Sequence, residues 1–360
     1  MMKNDNNQIE IVCCLELGDT QVYNHLVPIA QHPRVSRVWI VRSHGCGYGD
    51  IPKSEYVLIP GRFKPWRWLR MYRACRRLCK RPQVTAVVSF NPIPYGLIVG
   101  LAGHGQRKAV HYGFIGSDWY KYTLGRFGWL LRPLLRHGDF FTVTGPAMKQ
   151  ERIERGVEPE PIEILPHSID LNRFVVNRPS ESKYDFLFVG QLIKRKRLDL
   201  ILTAFARVAK CDPEMSLCIV GDGPLRPSIQ EIACSLDIGK NVHFAGYRTD
   251  VCEYMKISKN LVMASDMEGF PFSIVEALSS GVVPISTPVG TIPDLIQNGV
   301  NGLLVPTGDA DALAKAMARL VEDRQLYERL RQNALAMRNK YSYETATTVW
   351  DTWLRSLLVE

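Results

Sequence analysis

The stretch Ser265-Asp-Met-Glu-Gly-Phe-Pro-Phe-Ser-Ile-Val-Glu-Ala-Leu-Ser-Ser-Gly281 follows an apolar run, Asn260-Leu-Val-Met-Ala264. The run reads as a buried strand that stops at a turn containing Gly269 and Pro271. A helical pattern then starts near Phe272 and ends at Gly281. Strand, turn and helix in that order aim unpaired backbone N–H groups, and the positive end of a helix dipole, at an anion. Glu268 stands in the turn and Glu276 on the first turns of the helix, so both can reach something held at that helix end. Hydroxyls want carboxylates, and phosphates want N–H groups and cations. A ligand that joins the two, as a sugar nucleotide does, matches the stretch. Two Glu eight residues apart arise often by chance, so the specificity of the pattern comes from the strand, the Gly and the Pro around them.

Outward from this stretch the same grammar repeats in both directions. Short β-branched runs at Asp185–Val189, Ser216–Val220, Asn241–Ala245, Val283–Ser286 and Gly302–Val305 alternate with helical patterns. The first half offers strands at Ile9–Leu15, Arg37–Val41, Tyr56–Ile59, Val84–Phe90, Lys108–Tyr112, Phe140–Thr144 and Ile162–Leu165. Alternation of this kind predicts an α/β chain with parallel sheets. Two turns of the second half carry chemistry. Gly190-Gln-Leu-Ile-Lys-Arg-Lys-Arg197 crowds four cations into the loop between a strand and the helix Leu198–Lys210, and Gly221-Asp-Gly-Pro224 opens a helix at Pro224. In the first half, Gly18 separates the first strand from a helix ending near Gln31, which suits either a phosphate approach or an ordinary turn. Asp118, in His111-Tyr-Gly-Phe-Ile-Gly-Ser-Asp-Trp119, stands either as a carboxylate at the ligand end of a parallel strand or as a helix cap. The polar run Val176 to Lys183 reads as an interdomain linker.

A length of 360 residues suits two domains, and 46% hydrophobic with 22% charged residues suits globular cores. The polar start and the short apolar run after it do not form a signal peptide, no run is long enough to span a bilayer, and the expected location is the cytoplasm. Nine scattered cysteines have no metal-ligand or disulfide spacing and read as reduced small hydrophobes. Charge is uneven: residues 1–179 hold 25 Lys+Arg against 14 Asp+Glu, whereas the remainder holds 20 against 22. The excess gathers in Gly61–Pro82, where Arg62, Lys64, Arg67, Arg70, Arg73, Arg76, Arg77, Lys80 and Arg81 occur without one acid. Trp68, Met71, Cys75 and Leu78 recur there at helical spacing, widened by Trp66 and Tyr72. One reading is a basic helix lying on an anionic membrane through Arg67, Arg70, Arg73 and Arg77; the other is a core helix with a solvated basic face. A second basic segment, Arg126–His137, favours the membrane. Nucleic acid is not expected, because the cations accompany large apolar residues and no nucleic-acid module is present.

Taken together the motifs resemble glycosyltransferase family 4. They are Thr142-Val-Thr144, Leu165-Pro-His-Ser-Ile-Asp-Leu-Asn-Arg-Phe174, Val189 to Lys196, Val220-Gly-Asp-Gly-Pro224, Val242-His-Phe-Ala-Gly246, Ser265 to Gly281, Pro288 to Asp294 and Asn298 to Val305. The second half resembles the family closely and the first half mainly in layout. The resemblance implies a GT-B fold of two Rossmann-like domains facing a central cleft. Residues 1–175 would bind acceptor, 176–342 would bind nucleotide sugar, and a C-terminal helix over 343–360 would cross back to the first domain. It implies a retaining hexosyl- or N-acetylhexosaminyl-transferase that needs no metal or other cofactor. The donor would be a nucleotide-diphosphate sugar, UDP in preference to GDP, and the acceptor a lipid-linked or envelope glycan at the inner face of the plasma membrane.

Residue by residue, the resemblance assigns donor hydroxyls to Glu268, the ribose to Glu276 and the leaving diphosphate to Lys196. It places Phe272 and Ser273 N–H groups against sugar and phosphate, and the backbone at Tyr247 against the base. Gly18, Gly190, Arg195, Gly223, Ser265, Gly269, Phe270 and Pro271 complete the expected donor-binding set, and Asp118 joins Glu268 and Lys196 as a catalytic candidate. Three positions depart from the family. Gln191 replaces its usual Arg, with Arg195 or Arg197 as substitutes; Ile115 stands where many relatives have a His; and the paired glycines after the first strand are reduced to Gly18. The competing functions are a sugar-nucleotide epimerase or hydrolase on the same fold and a non-catalytic nucleotide-sugar-binding subunit.

Overall fold

The computed structural model describes residues 8–90, 92–115, 137–154, 162–177 and 179–357. The chain divides into two units, residues 1–168 with 343–360, and 169–342. In the first, seven strands run β1 (Ile9–Cys14), β2 (Val35–Arg42), β3 (Ser54–Leu58), β4 (Val84–Ser89), β5 (Ala109–Phe114), β6 (Phe140–Val143) and β7 (Ile162–Ile164). They form one parallel sheet in the order β3-β2-β1-β4-β5-β6-β7. The apolar runs explain it: all six residues of β1 are buried, as a strand covered on both faces by helices requires.

The helix Tyr343–Ser356 belongs to this first unit. Trp350 is fully buried with Trp353 among Ile9, Ile11 and Leu26, and Trp353 stacks on Phe140 at 5.3 Å. Tyr343 Oη donates to Asn24 Oδ1 at 2.6 Å, and His32 Nε2 lies 3.1 Å from Asp351. An indole in such a place contributes about 3–5 kcal/mol against truncation to Ala.

The second unit repeats the plan with β8 (Tyr184–Val189), β9 (Leu217–Val220), β10 (Val242–Gly246), β11 (Ser258–Met263), β12 (Val283–Ser286) and β13 (Leu303–Leu304). Its parallel order is β10-β9-β8-β11-β12-β13. The helix Leu198–Cys211 buries Leu198, Ile201, Leu202, Phe205, Val208 and Ala209, a helical stripe turned to the core. Residues 169–177, across the expected boundary at 175/176, pack into this unit. Ile169 and Phe174 lie in its core, Asn177 N donates to Ser280 O at 2.8 Å, and the Arg338 guanidinium binds the carbonyls of Leu171 and Phe174. The polar run 176–183 is therefore anchored at its start by a buried Asn177 rather than free throughout. The helix expected at Pro224 begins at Arg226, and the Leu225 N–H before it donates to the Leu192 carbonyl at 3.1 Å.

Candidate functional site

In the second sheet the strand order reverses between β8 and β11, which lie side by side. Connections leaving the carboxyl ends of those two strands diverge, and open α/β sheets take ligands in the crevice so formed. Two of the three stretches singled out for chemistry in this half leave from there, 190–197 after β8 and 265–271 after β11; the third, 221–224, follows the neighbouring β9.

The first of these loops closes in a short 3₁₀ turn, Lys194–Lys196, and Arg197 adopts the left-handed conformation (φ 49°) before the next helix. That turn buries the Lys196 side chain, and its Nζ donates to Glu268 Oε1 at 2.6 Å. Lys196 is 9% and Glu268 7% exposed, so the pair is largely withdrawn from water. Asp266 N donates to Arg195 O at 2.8 Å, joining the two loops along the backbone. Arg197 is engaged with Asp199 at 2.9 Å and Asp266 at 3.3 Å. Of the two cations considered as substitutes at Gln191, Arg197 is thus neutralised, and Arg195 is exposed with no side-chain ion pair shown among the described residues.

Two glycines and two threonines hold these loops, and only one of the four, Gly223, was expected at the site. Gly221 has φ 144°, and a Cβ there would lie 1.8 Å from the Gly190 carbonyl; at Gly223 it would lie 2.6 Å from that of Leu192. Gly221 is the second. Thr287 Oγ1 donates to Ser265 O at 2.6 Å, and Thr291 Oγ1 donates to Gly269 O at 2.7 Å, so the segment after β12 clamps the acidic turn. Gly290 lies in that segment at φ 60°, where a Cβ would come within 2.1 Å of the Glu268 carbonyl. The only sequence signal for the clamp is the run Pro288–Asp294, which carries no chemistry by itself.

The helix Phe272–Ser280 begins after Pro271 with no side-chain cap, so the positive end of its dipole meets the acidic turn without a capping side chain, and Ile274 N donates to Pro271 O at 3.1 Å. Ser273 and Glu276 are buried on that helix. Burial raises the Glu276 pKa from 4.5 to about 7, and the nearby Arg173 guanidinium lowers it in part. Ser265 and Gly269 sit in the clamped turn. The Phe270 side chain packs in the hydrophobic core beside Ile274 and Leu278, leaving its backbone as the part within reach of a ligand. Tyr247 follows β10 at the sheet edge and is 75% exposed.

Gly18 belongs to the first unit, at the start of the helix Asp19–Gln31, with φ −59° and room for a Cβ, so nothing local demands a glycine. Arg67, Arg70, Arg73 and Arg77 lie on the helix Lys64–Cys79 of that unit. Asp118 and most of Arg126–His137 lie outside the described residues. All nine cysteines are unpaired. Among the described residues no group of three or more His, Cys, Asp or Glu side chains is arranged to hold a metal ion.

Residues 170–337 match the family model "Glycosyl transferases group 1", and residues 26–167 match "Glycosyl transferase 4-like domain". N-acetyl-alpha-D-glucosaminyl L-malate synthase of Bacillus anthracis is 32% identical over 155 residues, 43% of this chain and 40% of that one. UDP-Gal:alpha-D-GlcNAc-diphosphoundecaprenol alpha-1,3-galactosyltransferase of Escherichia coli is 26% identical over 47% of this chain and 48% of its own. The chain thus spans less than half the length of these curated relatives. Anabaena HepE, solved in complex with UDP and glucose, superposes with a TM-score of 0.76 at 17% identity over 97% of this chain and 100% of its own. That likeness establishes the fold.

Proposed function

Since the chain belongs to the group 1 glycosyltransferases and has their two-domain GT-B fold, we propose that it transfers a hexosyl or N-acetylhexosaminyl group with retention of configuration. The donor is a nucleotide-diphosphate sugar, and the acceptor a lipid-linked or cell-envelope glycan at the inner membrane face. UDP is the favoured nucleotide, in keeping with the UDP and UDP-glucose complexes of HepE. The acceptor class follows the diphosphoundecaprenol-linked substrate in the name of the E. coli relative. No described helix is long and apolar enough to cross a membrane.

The observation that carries the proposal is the buried Lys196–Glu268 contact at the carboxyl ends of β8 and β11, beside an uncapped helix N-terminus. As the bond from the sugar C1 to the diphosphate oxygen breaks, negative charge develops on that oxygen. Lys196 and the N–H groups of Phe272 and Ser273 meet it in a site shielded from water, where such interactions are strongest. An ammonium has three donors, so Lys196 can keep Glu268 while taking a phosphate oxygen. Glu268 accepts from sugar hydroxyls and Glu276 from the ribose. The acceptor oxygen forms the new bond to C1 on the face the diphosphate leaves, and its proton passes to the departing phosphate. Asp118 orients the acceptor. Arg195 adds charge at the phosphates, and no metal is required.

The test is a thermal-shift screen against UDP, GDP, ADP and their sugars, followed by transfer with the stabilising donor, since binding to the folded state raises stability by mass action. A product of retained configuration is expected. Hydrolysis or epimerisation of the donor at the same rate without acceptor would overturn the proposal.

A further inference from the structure

We infer that the helix Lys64–Cys79 and the loop before it form a docking surface for an anionic phospholipid bilayer, inserted through Phe63, Trp66 and Leu69. This takes up the membrane placement proposed above, but it rests on a different part of the molecule. The sequence pattern offered Trp66, Trp68 and Tyr72 as interfacial aromatics. The structure divides them: Met71, Cys75, Leu78 and Cys79 are buried, and Trp68 and Tyr72 pack half-buried against the same core. What remains outside is a second apolar set. Phe63 is 63%, Trp66 62% and Leu69 39% exposed, with Leu58 at the end of the edge strand β3 also exposed.

These apolar groups are interleaved with cations. Arg62, Lys64, Arg70, Arg73, Arg76, Arg77 and Lys80 are all exposed. None of the seven makes an ion pair among the described residues. Arg70 Nη1 donates to the Pro60 carbonyl at 3.2 Å, and Arg67 Nη1 to that of Gly61 at 3.1 Å, which ties the loop carrying Phe63 to the helix. No Asp or Glu occurs between Glu55 and Asp118, whereas eleven Lys or Arg do. The helix Leu97–His104, packed alongside, also lacks acids and exposes Leu101. A face that serves only solubility mixes both signs and leaves few large aromatics in water. Aromatic and aliphatic tips set among unpaired arginines match instead a surface with anionic headgroups above and acyl chains below.

The experiment is co-sedimentation of the full chain with vesicles of phosphatidylcholine alone or mixed with phosphatidylglycerol, near physiological salt. Wild type is expected to bind only the anionic vesicles, and to be released as salt rises. Each cation near such a surface contributes about fivefold, so changing Arg70, Arg73, Arg76 and Arg77 together to Gln should lower partitioning several hundredfold. Phe63→Ser with Trp66→Ser should lower it at least about tenfold with every charge retained. Stabilisation by UDP, read in parallel, should be the same in all three proteins and reports on their folding independently of the membrane. Equal vesicle binding by wild type and both variants, binding to neutral vesicles, or indifference of wild type to salt would overturn the inference. So would displacement of the protein from vesicles by RNA at equal phosphate concentration, which would mark a nucleic-acid surface.

Discussion

Replacing Glu276 by Gln separates what this carboxyl does to the stability of the second unit from what it does for the donor. Its pKa is raised by burial from 4.5 to about 7, so the folded chain holds a proton there that the unfolded chain releases. The sign follows from linkage. Between these values the native state binds more protons, and stability is full below pH 4.5 and falls as pH rises to 7. Over 2.5 units (7 minus 4.5), at about 1.4 kcal/mol per unit, the full loss is about 3.5 kcal/mol. Gln has no proton to release. The variant should match wild type near pH 5 and exceed it by about 2–3 kcal/mol near pH 8, seen as a Tm higher by roughly 5–10 °C. His25 and His111, whose pKa values burial lowers to about 3, act in the opposite sense, weakening the first unit on acidification. They are common to both proteins and cancel in the difference. With UDP the order reverses. Ribose hydroxyls favour the carboxylate, so wild-type affinity should rise with pH up to about 7 and then level off. The Gln variant should bind about tenfold more weakly at pH 8, without that pH dependence. Thermal melts and UDP titrations across pH 5 to 8.5 read both effects. A variant less stable than wild type at pH 8, or one with the same pH dependence, would refute the reasoning.

Lys196→Ala and Glu268→Ala should each reduce turnover by at least about 100-fold, and a chemical-denaturation cycle should show the double variant less destabilised than the sum of the singles, because each single change strands a buried charge at a cost of about 3 kcal/mol. Transfer should persist in excess chelator; a loss restored only by manganese or magnesium would return the phosphates to a metal. Gly290→Ala places a methyl against the Glu268 carbonyl, so it should shift the acidic turn and raise the KM for donor well beyond any effect on KM for acceptor.

The strands were legible because parallel strands covered on both faces are written as short apolar runs, and the thirteen runs in the sequence correspond to β1 through β13. Glu268 stood out as a candidate because it follows the apolar run of β11 within a Gly- and Pro-containing turn, whereas the roles proposed for Lys196, one of four cations in its loop, and for Glu276, on the helix beyond, came from the family resemblance. What the sequence does not show is which neighbour fixes them. Thr287 and Thr291 grip the acidic turn across more than twenty residues of chain, and a threonine at a strand end has no pattern that points to a distant carbonyl. The helical stripe of 64–79 was equally ambiguous. Apolar spacing marks a buried face, but only packing decides that Trp68 and Tyr72 face the core while Trp66 stays in water.

The burial of Lys196, Glu268 and Glu276 supports the proposal that this end of the sheet binds a ligand and is not merely a well-packed loop. All three are more than nine-tenths buried, and removing an ionisable group from water is costly unless it is paired or neutralised. Lys196 and Glu268 meet the cost by holding each other, and Glu276 by keeping its proton until about pH 7. Well-packed apolar side chains in place of such a pair are often more stable by about 1–4 kcal/mol. Three ionisable groups retained where apolar ones would serve the fold better point to a ligand that supplies the missing partners: phosphate for the ammonium, and hydroxyls for the two carboxyls.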